Sequence, residues 1–569
     1  MDIGYDEAMD WKLKKIYKSI LENETGYVKK NWGTYNTVCL AYPNQYRTGM
    51  ANLGFQTVYK IFNAQPSFLC ERVFLSDSGG DASVSGAAGI FSLENQKSIA
   101  EFDILAFSVS FENDYPNILK IMDLAGIPLL AKDRSEKYPL IVGGGIAMTL
   151  NPEPLADFCD LCILGEAEDV LPEFCHFFEE ARRLGHDRRT FLKDLQKQVN
   201  NIYVPALYEV QYSEDSKIVS VKPRDEGLPE KIKIKHIKDI NSFRTEEVIS
   251  ASGTEMEDMF LMEVNRGCAR GCRFCAASFV YRPVRFRGSS EIMATVDSGL
   301  KIKNKIGLVG TAVSDHPDLI NICEYIIAQK AQAGLGSLRI DRISEKIVDL
   351  IKANGIETVA LAPEAGSQRM RDVLRKGITE ADILDAVTML VKKDIPNLRL
   401  YFMVGLPNEE GSDIDAIIEL VGKIQHHIRN CFQGKKKFRR ITLSVNQFIP
   451  KPATPFQWCF LENVSIAGKK IKKIENAFRR ERQIKVIHDV PKWNYIQALL
   501  SLGDRRVSEI LMEVNRLGGN WSQALKEVNI NPDFYVYRPK KIDEVLPWDF
   551  IDLGVSKKAL ISEYNKALE

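Results

Sequence analysis

Three cysteines, Cys268, Cys272 and Cys275, fall in the run Glu263-Val264-Asn265-Arg266-Gly267-Cys268-Ala269-Arg270-Gly271-Cys272-Arg273-Phe274-Cys275. The other eight of eleven are scattered: Cys39, Cys70, Cys159, Cys162, Cys175, Cys323, Cys431 and Cys459. Thiolates at C-x3-C-x2-C spacing directly after an apolar strand can wrap one iron–sulfur cluster, and Gly267 and Gly271 free the backbone to curl around it. A [4Fe–4S] cube takes four ligands, so three local cysteines leave one iron open to a substrate or cofactor. The competing chemistry is a structural zinc site completed by a distant His or Cys. Zinc would favour a second CxxC or a His pair at ribbon spacing, and neither is found.

Two alternating series of strands and helices must position these residues. The first has apolar runs at Thr37–Ala41, Asp103–Ser108, Pro139–Val142 and Leu161–Leu164, with helices predicted over Leu53–Asn63, Tyr115–Ala125 and Ala167–Arg183. Such alternation argues for a parallel, doubly wound, Rossmann-like sheet. The second places strands at Met259–Val264, Ile306–Gly310, Ser337–Asp341, Thr358–Ala362, Leu398–Val404 and Ile441–Asn446, with helices such as Glu291–Lys303, Pro317–Ala333 and Glu380–Lys392. Six β/α units suit a partial (β/α)6 barrel. The expected α/β organisation is a helical lead-in over residues 1–34, a front domain over 35–200, a β-rich linker over 201–255, the barrel over 256–465 and a helical C-terminal region over 466–569.

Bulk composition narrows the classes. A chain of 569 residues exceeds one compact core. Lys+Arg and Asp+Glu are both 76, so a nucleic-acid surface would have to be a local patch. No apolar run approaches bilayer length, and the start at Met1–Glu7 lacks a basic region followed by an apolar one. The expectation is a cytoplasmic protein without membrane insertion, whose clustered cysteines mark a metal or cluster site in a reducing compartment.

The cysteine spacing, with Phe274 before the third cysteine, resembles the signature of the radical S-adenosylmethionine (radical SAM) superfamily. The resemblance implies that the open iron chelates the amino and carboxylate groups of SAM. One-electron reduction, by a donor such as ferredoxin or flavodoxin, would then cleave SAM to methionine and a 5′-deoxyadenosyl radical. It also implies SAM-binding positions at successive strand ends: Phe274 beside the cluster, Gly310 after the second strand, Arg339 on the third, and Glu364 and Ser367 after the fourth. A planar guanidinium at Arg339 suits a carboxylate. The plain alternatives are an ion-pair role for Arg339 and a helix cap for Glu364. The segment Phe402-Met403-Val404-Gly405-Leu406-Pro407 closes the fifth strand, near the expected place of adenine.

The likeness extends to a largely uncharacterised branch with a cobalamin-binding-like front domain. It rests on the segment from Ala41 to Gly54, Val142-Gly143-Gly144-Gly145, Asn151-Pro152-Glu153-Pro154, Leu164-Gly165-Glu166-Ala167-Glu168, Tyr281-Arg282-Pro283-Val284-Arg285, Phe448–Phe456 and Leu546-Pro547-Trp548-Asp549. Ser108, Ser110, Gly143, Gly144 and Gly145 follow predicted strands, where small residues could admit a corrin or its nucleotide tail. The Asp-x-His-x-x-Gly motif of a lower ligand is absent. Were cobalamin bound, the resemblance implies methylation of an unactivated carbon, with methylcobalamin as donor. Two rivals stay open: an RNA-modifying enzyme of methylthiotransferase type, and a non-catalytic iron–sulfur sensor or interaction protein.

Three further features carry two readings each. Cys159 and Cys162 form a CxxC that is either redox-active or packed core, with core favoured. Lys435-Lys436-Lys437-Phe438-Arg439-Arg440 and Lys469–Lys485 concentrate charge that could touch RNA phosphate or form a solvated face. His316 is either a proton donor or acceptor at the rim or part of a helix start.

Overall fold

The computed structural model describes residues 9–76, 89–256, 258–336, 338–431 and 438–569. A helix over Trp11–Glu22 opens the described chain. The front sheet follows, built from β1 (Asn36–Gln45), β2 (Phe68–Leu75), β3 (Ile104–Ser108), β4 (Leu140–Gly144), β5 (Leu161–Ile163) and β6 (Ile202–Tyr203). The strands lie in the order β2-β1-β3-β4-β5-β6, parallel except for the last pair. Helices α1 (Leu53–Ala64), α2 (Tyr115–Leu124) and α3 (Ala167–Leu184) fall where the apolar periodicity predicts them. Side chains such as Val38, Leu40, Ile104, Leu105 and Ile141 are fully or almost fully buried in the common core.

Strand β2 escapes the sequence pattern because Glu71 and Arg72 interrupt its apolar run. Both are fully buried. Arg72 makes paired contacts with Glu24 at 2.7 Å and Glu94 at 2.7 Å, so its charge is compensated inside the sheet edge.

The second region contains β7 (Phe260–Arg266), β8 (Lys305–Gly310), β9 (Gln332–Leu335), β10 (Thr358–Glu364), β11 (Asn397–Val404), β12 (Arg440–Gln447) and β13 (Ile484–Ile487). Strands β7, β8 and β9 are consecutive parallel neighbours, and so are β10 to β13. Two corrections to the expected strands follow. The third lies at Gln332–Leu335 rather than Ser337–Asp341: Ile340–Arg342 forms a 3-10 turn, and Ser337 lies outside the described residues. The preceding helix stops at Ala328, five residues short of the expected Ala333. A seventh parallel strand, β13, sits within the region read as helical, because Ile484-Lys485-Val486-Ile487 is too short to break a helical pattern.

Between the two regions an antiparallel hairpin, Tyr208–Tyr212 with Ile218–Pro223, accounts for the β character of the connecting stretch. The C-terminal part returns to both regions. Helices over Pro491–Leu502 and Val507–Arg516 contribute Leu499, Leu500, Ile510 and Leu511 to the core of the front sheet. Ile551–Asp552 pairs in parallel with Ile232–Lys233. No described helix is long and apolar enough to cross a membrane. Residues 1–8 and the basic Lys435-Lys436-Lys437 lie outside the described residues.

Candidate active site

Strand β7 delivers the chain into the cysteine loop. Gly267 adopts φ +82°, and a Cβ there would lie 2.1 Å from the Tyr281 carbonyl oxygen, so only glycine fits this turn without a shift. Asn265 donates from Nδ2 to the Gly267 carbonyl at 3.2 Å, fixing the entry. Cys268 and Cys272 are buried and Cys275 is half-buried; all three are free thiols. Among the described residues no three His, Cys, Asp or Glu side chains gather as around one metal ion. A four-iron cube takes one sulfur per iron and so spaces its ligands more widely than one ion does. Burial pushes the Cys272 thiol up, and Lys376 and Arg339 offset part of that rise. These features fit three cysteines holding a cluster.

The expected SAM positions surround that loop in different ways. Gly310 ends β8 directly opposite Asn265 on β7. Arg339 is mostly buried; its Nε donates to Asp341 Oδ1 at 3.0 Å, and its backbone N–H donates to Ser314 Oγ. Glu364 ends β10 at φ +67°, a left-handed conformation that costs a non-glycine residue on the order of 1–3 kcal/mol. Lys376 Nζ meets its Oε1 at 3.0 Å, and burial pushes the carboxyl up against that partner. The helix that follows is capped by Ser367, not by Glu364: the Ser367 hydroxyl accepts from the Met370 N–H and donates to Asp413 Oδ1 at 2.6 Å. Phe274 packs in a small core with Ala365, Met370 and Leu374, one residue beyond Glu364.

His316 has both ring nitrogens engaged. Nδ1 accepts from the Asp318 N–H at 3.1 Å and Nε2 meets the Arg287 carbonyl at 3.0 Å, which makes Nε2 the protonated nitrogen. Burial lowers its pKa. It holds the loop after β8 as a neutral imidazole, the helix-start role rather than a proton-transfer one. Cys159 and Cys162 are buried in the front core, and both thiols are free.

A cavity of about 470 Å³ lies between the front sheet and the barrel rim. Leu40, Val58, Phe62, Ala106, Val142 and Leu171 supply an apolar wall, Ser108, Ser110, Gly144 and Gly145 line it near the strand ends, and Glu166, Glu168, Glu263 and Arg266 also line it. It continues to Asn265, Gly310 and Thr311, and Asn265 stands three residues before Cys268. Gly145 adopts φ +104°, and a Cβ there would stand 2.4 Å from the Val109 oxygen. Gly143 does not line the cavity; it faces Met148 and Cys159 on the core side. A site of this size, mostly apolar with small polar groups at the strand ends and mutually paired charges elsewhere in its lining, suits a flat aromatic group on a polar tether. The nucleotide tail of cobalamin is such a group, and the residues present fit it.

The floor between the two regions is an ion-pair network. Arg285 Nη2 meets Glu166 Oε1 at 2.5 Å, Arg266 meets Glu168 at 2.7 Å and Glu263 at 2.9 Å, and Arg287 meets Glu263 at 2.5 Å. Burial alone would raise the Glu166 carboxyl, but His236, Arg285 and Arg266 hold it well below the usual range. Two sequence segments noted separately, around Glu166 and around Arg285, are thus each other's partners. Other noted segments are also latches. Asn151 donates to the Ser501 and Gly503 carbonyls, Glu153 pairs with Arg505 at 3.2 Å, Lys451 pairs with Glu112 at 2.6 Å, and Trp548 donates to Gln457 at 2.6 Å.

A parallel sheet with a cavity at its strand ends, facing a β/α rim that carries three clustered thiols, defines a cluster-dependent enzyme. Comparison with known proteins gives the family. Residues 262–421 match the model of the radical SAM superfamily, and residues 54–205 match that of radical SAM proteins, N-terminal. An uncharacterized protein of Methanocaldococcus jannaschii is 30% identical over 479 residues, covering 83% of this chain and 90% of the relative. The chain belongs to the radical SAM superfamily, and its cofactors are a [4Fe–4S] cluster and S-adenosylmethionine. Among solved structures, the cobalamin-dependent S-adenosylmethionine radical enzyme OxsB is similar at 13% identity, covering 94% of this chain and 79% of that one, with a TM-score of 0.47. The radical S-adenosylmethionine methyltransferase TsrM from Kitasatospora setae is similar at 14% identity, covering 72% of each chain, with a TM-score of 0.46.

Sequence reasoning passed over Lys376, whose only signal is its place in the run Leu374-Arg375-Lys376-Gly377. It also passed over the pairing of Arg266, Arg285 and Arg287 with Glu166, Glu168 and Glu263. Residue types showed the charges, but Glu168 and Glu166 lie 98 and 119 residues from their partners Arg266 and Arg285.

Proposed function

We propose that Cys268, Cys272 and Cys275 bind the cluster, and that Phe274, Gly310, Arg339, Glu364 and Ser367 form the surroundings of SAM. We further propose that the cavity takes cobalamin and that the reaction is methylation of an unactivated carbon. When bound, the cluster and SAM would supply radical chemistry for hydrogen abstraction and cobalamin would supply the methyl group. The observation that carries this reading is the cavity itself, which runs from the ends of β3 and β4 to Asn265 and Gly310 beside the cysteine loop.

The chain's own residues then have distinct tasks. Gly310, without a side chain, lets Asn265 pack against the end of β8, since a Cβ there would stand 2.0 Å from Asn265 Oδ1, and so brings the end of β8 close to the cysteine loop where SAM would bind. Arg339 and the Glu364–Lys376 pair offer opposite charges to the carboxylate and amino groups of an amino acid. Ser367 acts by fixing the helix start beside Glu364, since both sides of its hydroxyl are engaged. Ser108 and Ser110 would meet the polar tether while the apolar wall excludes water. Eleven free cysteines suit the reducing cytoplasm, where a low-potential donor of ferredoxin or flavodoxin type would deliver the electron.

Protein expressed anaerobically with cobalamin supplied tests the reading. Corrin absorption bands that copurify in about one equivalent are expected. An iron–sulfur shoulder alone would remove cobalamin from the mechanism while leaving the superfamily assignment intact.

A further inference from the structure

The last helix of the chain, Lys557–Leu568, packs against the cysteine loop across nearly 300 residues of sequence. Its contact centres on Glu563. The Glu563 carboxylate meets Arg273 Nε at 3.2 Å and Arg375 Nη1 at 3.2 Å. Arg273 lies between Cys272 and Cys275, and its guanidinium donates from both Nε and Nη1. Nη1 donates to the Asp372 carbonyl at 3.0 Å and the Val373 carbonyl at 2.9 Å, while its backbone N–H donates to the Leu374 carbonyl at 3.0 Å. Those carbonyls end the short helix Gln368–Val373, which starts four residues after Glu364. Arg375 lies on the other side: its Nη1 would stand 3.5 Å from a Cβ at Gly271, inside the cysteine loop. Tyr564 and Ala567 of the last helix also join the small core that contains Phe274, Ala365 and Leu374.

One carboxylate therefore ties together the loop that carries the thiols, the segment that carries Glu364 and the C-terminal helix. We infer that Glu563 is a positioning residue for the cluster: through Arg273 and Arg375 it clamps the Cys272–Cys275 stretch at a fixed distance from Glu364. This rests on the assignment of the three cysteines as cluster ligands. The physical reason for a clamp lies in the loop itself. Gly267 and Gly271 give it freedom, and a cluster bound through three thiols with one iron open needs those thiols held in place when SAM arrives. A guanidinium with five donors is suited to this, since it can bond carbonyls and carboxylate at once without losing its orientation. Outer groups that orient metal ligands are worth about 10- to 100-fold in affinity or activity.

The test uses the full-length reconstituted holoprotein and its Glu563→Gln and Arg375→Gln variants. Lys558→Ala, on the exposed side of the same helix, is the control. Iron release to a chelator should run about tenfold faster in Glu563→Gln than in the wild type. Arg375→Gln, which removes one arm from a half-exposed site, should give a smaller acceleration, and Lys558→Ala none. The change that SAM induces in the EPR spectrum of the reduced cluster should need a higher SAM concentration in Glu563→Gln. The melting temperature of the apo-protein should move by no more than about 2 °C, which separates positioning from loss of fold. Wild-type release rates and SAM responses in both variants would overturn the clamp. Should Glu563→Gln misfold, Arg375→Gln alone decides: wild-type release would overturn the clamp and faster release would support it. A wild-type protein that takes up no cluster would contradict the ligand assignment itself, and the clamp with it.

Discussion

The cysteine loop and the front cavity solve the same problem of holding a cofactor by opposite means. The loop is contiguous, polar and braced: its three thiols fall between Cys268 and Cys275, with Arg270, Arg273, Arg339 and Lys376 around them. The cavity is assembled from the ends of strands that lie far apart in the chain, and its walls are mostly apolar. A contiguous motif brings its ligands together by spacing alone, and distant side chains such as Glu563 then brace them. A cavity exists only when the whole sheet is folded against its helices and the rim. The difference predicts that damage to one site need not reach the other.

Replacing Cys272 by Ala gives the largest separation. Formation of 5′-deoxyadenosine from SAM should fall to background, while corrin binding in the front cavity is retained. Loss of both together would show that the cavity depends on the cluster. Gly145→Ala is the reciprocal change. Its side chain would face the Val109 carbonyl in a left-handed conformation, so corrin retention should drop about tenfold, equivalent to ~1.4 kcal/mol. Cluster content measured as iron per chain should stay unchanged.

Lys376→Met sharpens the comparison on the cluster side. Burial already raises the Glu364 pKa, so keeping that carboxylate ionised in the fold costs stability as pH rises, and Lys376 offsets the cost. Denaturant unfolding should show a loss of about 2 kcal/mol near pH 8. The loss should narrow as the pH falls and Glu364 takes up its proton, at a pH above the ordinary carboxylate range; a loss independent of pH would assign Lys376 a packing role only. The smallest effect is expected for Cys162→Ala. It removes one sulfur from the front core at a cost of about 1 kcal/mol and leaves iron per chain unchanged. A fall in iron would mean that Cys159 and Cys162 hold a second cluster.

The same contrast explains what the sequence made legible. Most strands of both sheets follow from apolar runs, and helices α1 and α3 were placed to within a residue of their observed ends, because amphipathic period and burial agree there. Strand β2 was hidden by Glu71 and Arg72: Arg72 pairs with Glu24 and Glu94, and Glu71 accepts from Asn95, all outside the strand itself. Strand β9, Gln332-Ala333-Gly334-Leu335, lacks β-branched residues, and the alternation of Leu338 and Ile340 drew the expectation past it. The cysteines were legible because their chemistry depends on spacing alone. Ser108, Ser110, Gly144 and Gly145 could be guessed from their places after strands, whereas Glu166, Arg266 and Arg285 could not be joined without the fold. Glu563 left no signal at all, since a lone glutamate on an exposed helix is ordinary until Arg273 is seen beside it.

The central claim is that this rim cleaves SAM, and product formation tests it most directly. Anaerobically reconstituted protein given dithionite and SAM should release 5′-deoxyadenosine and methionine, and the Cys272→Ala variant should release neither. A protein whose cluster is present and demonstrably reduced, yet which yields no 5′-deoxyadenosine with or without added cobalamin, would contradict the account.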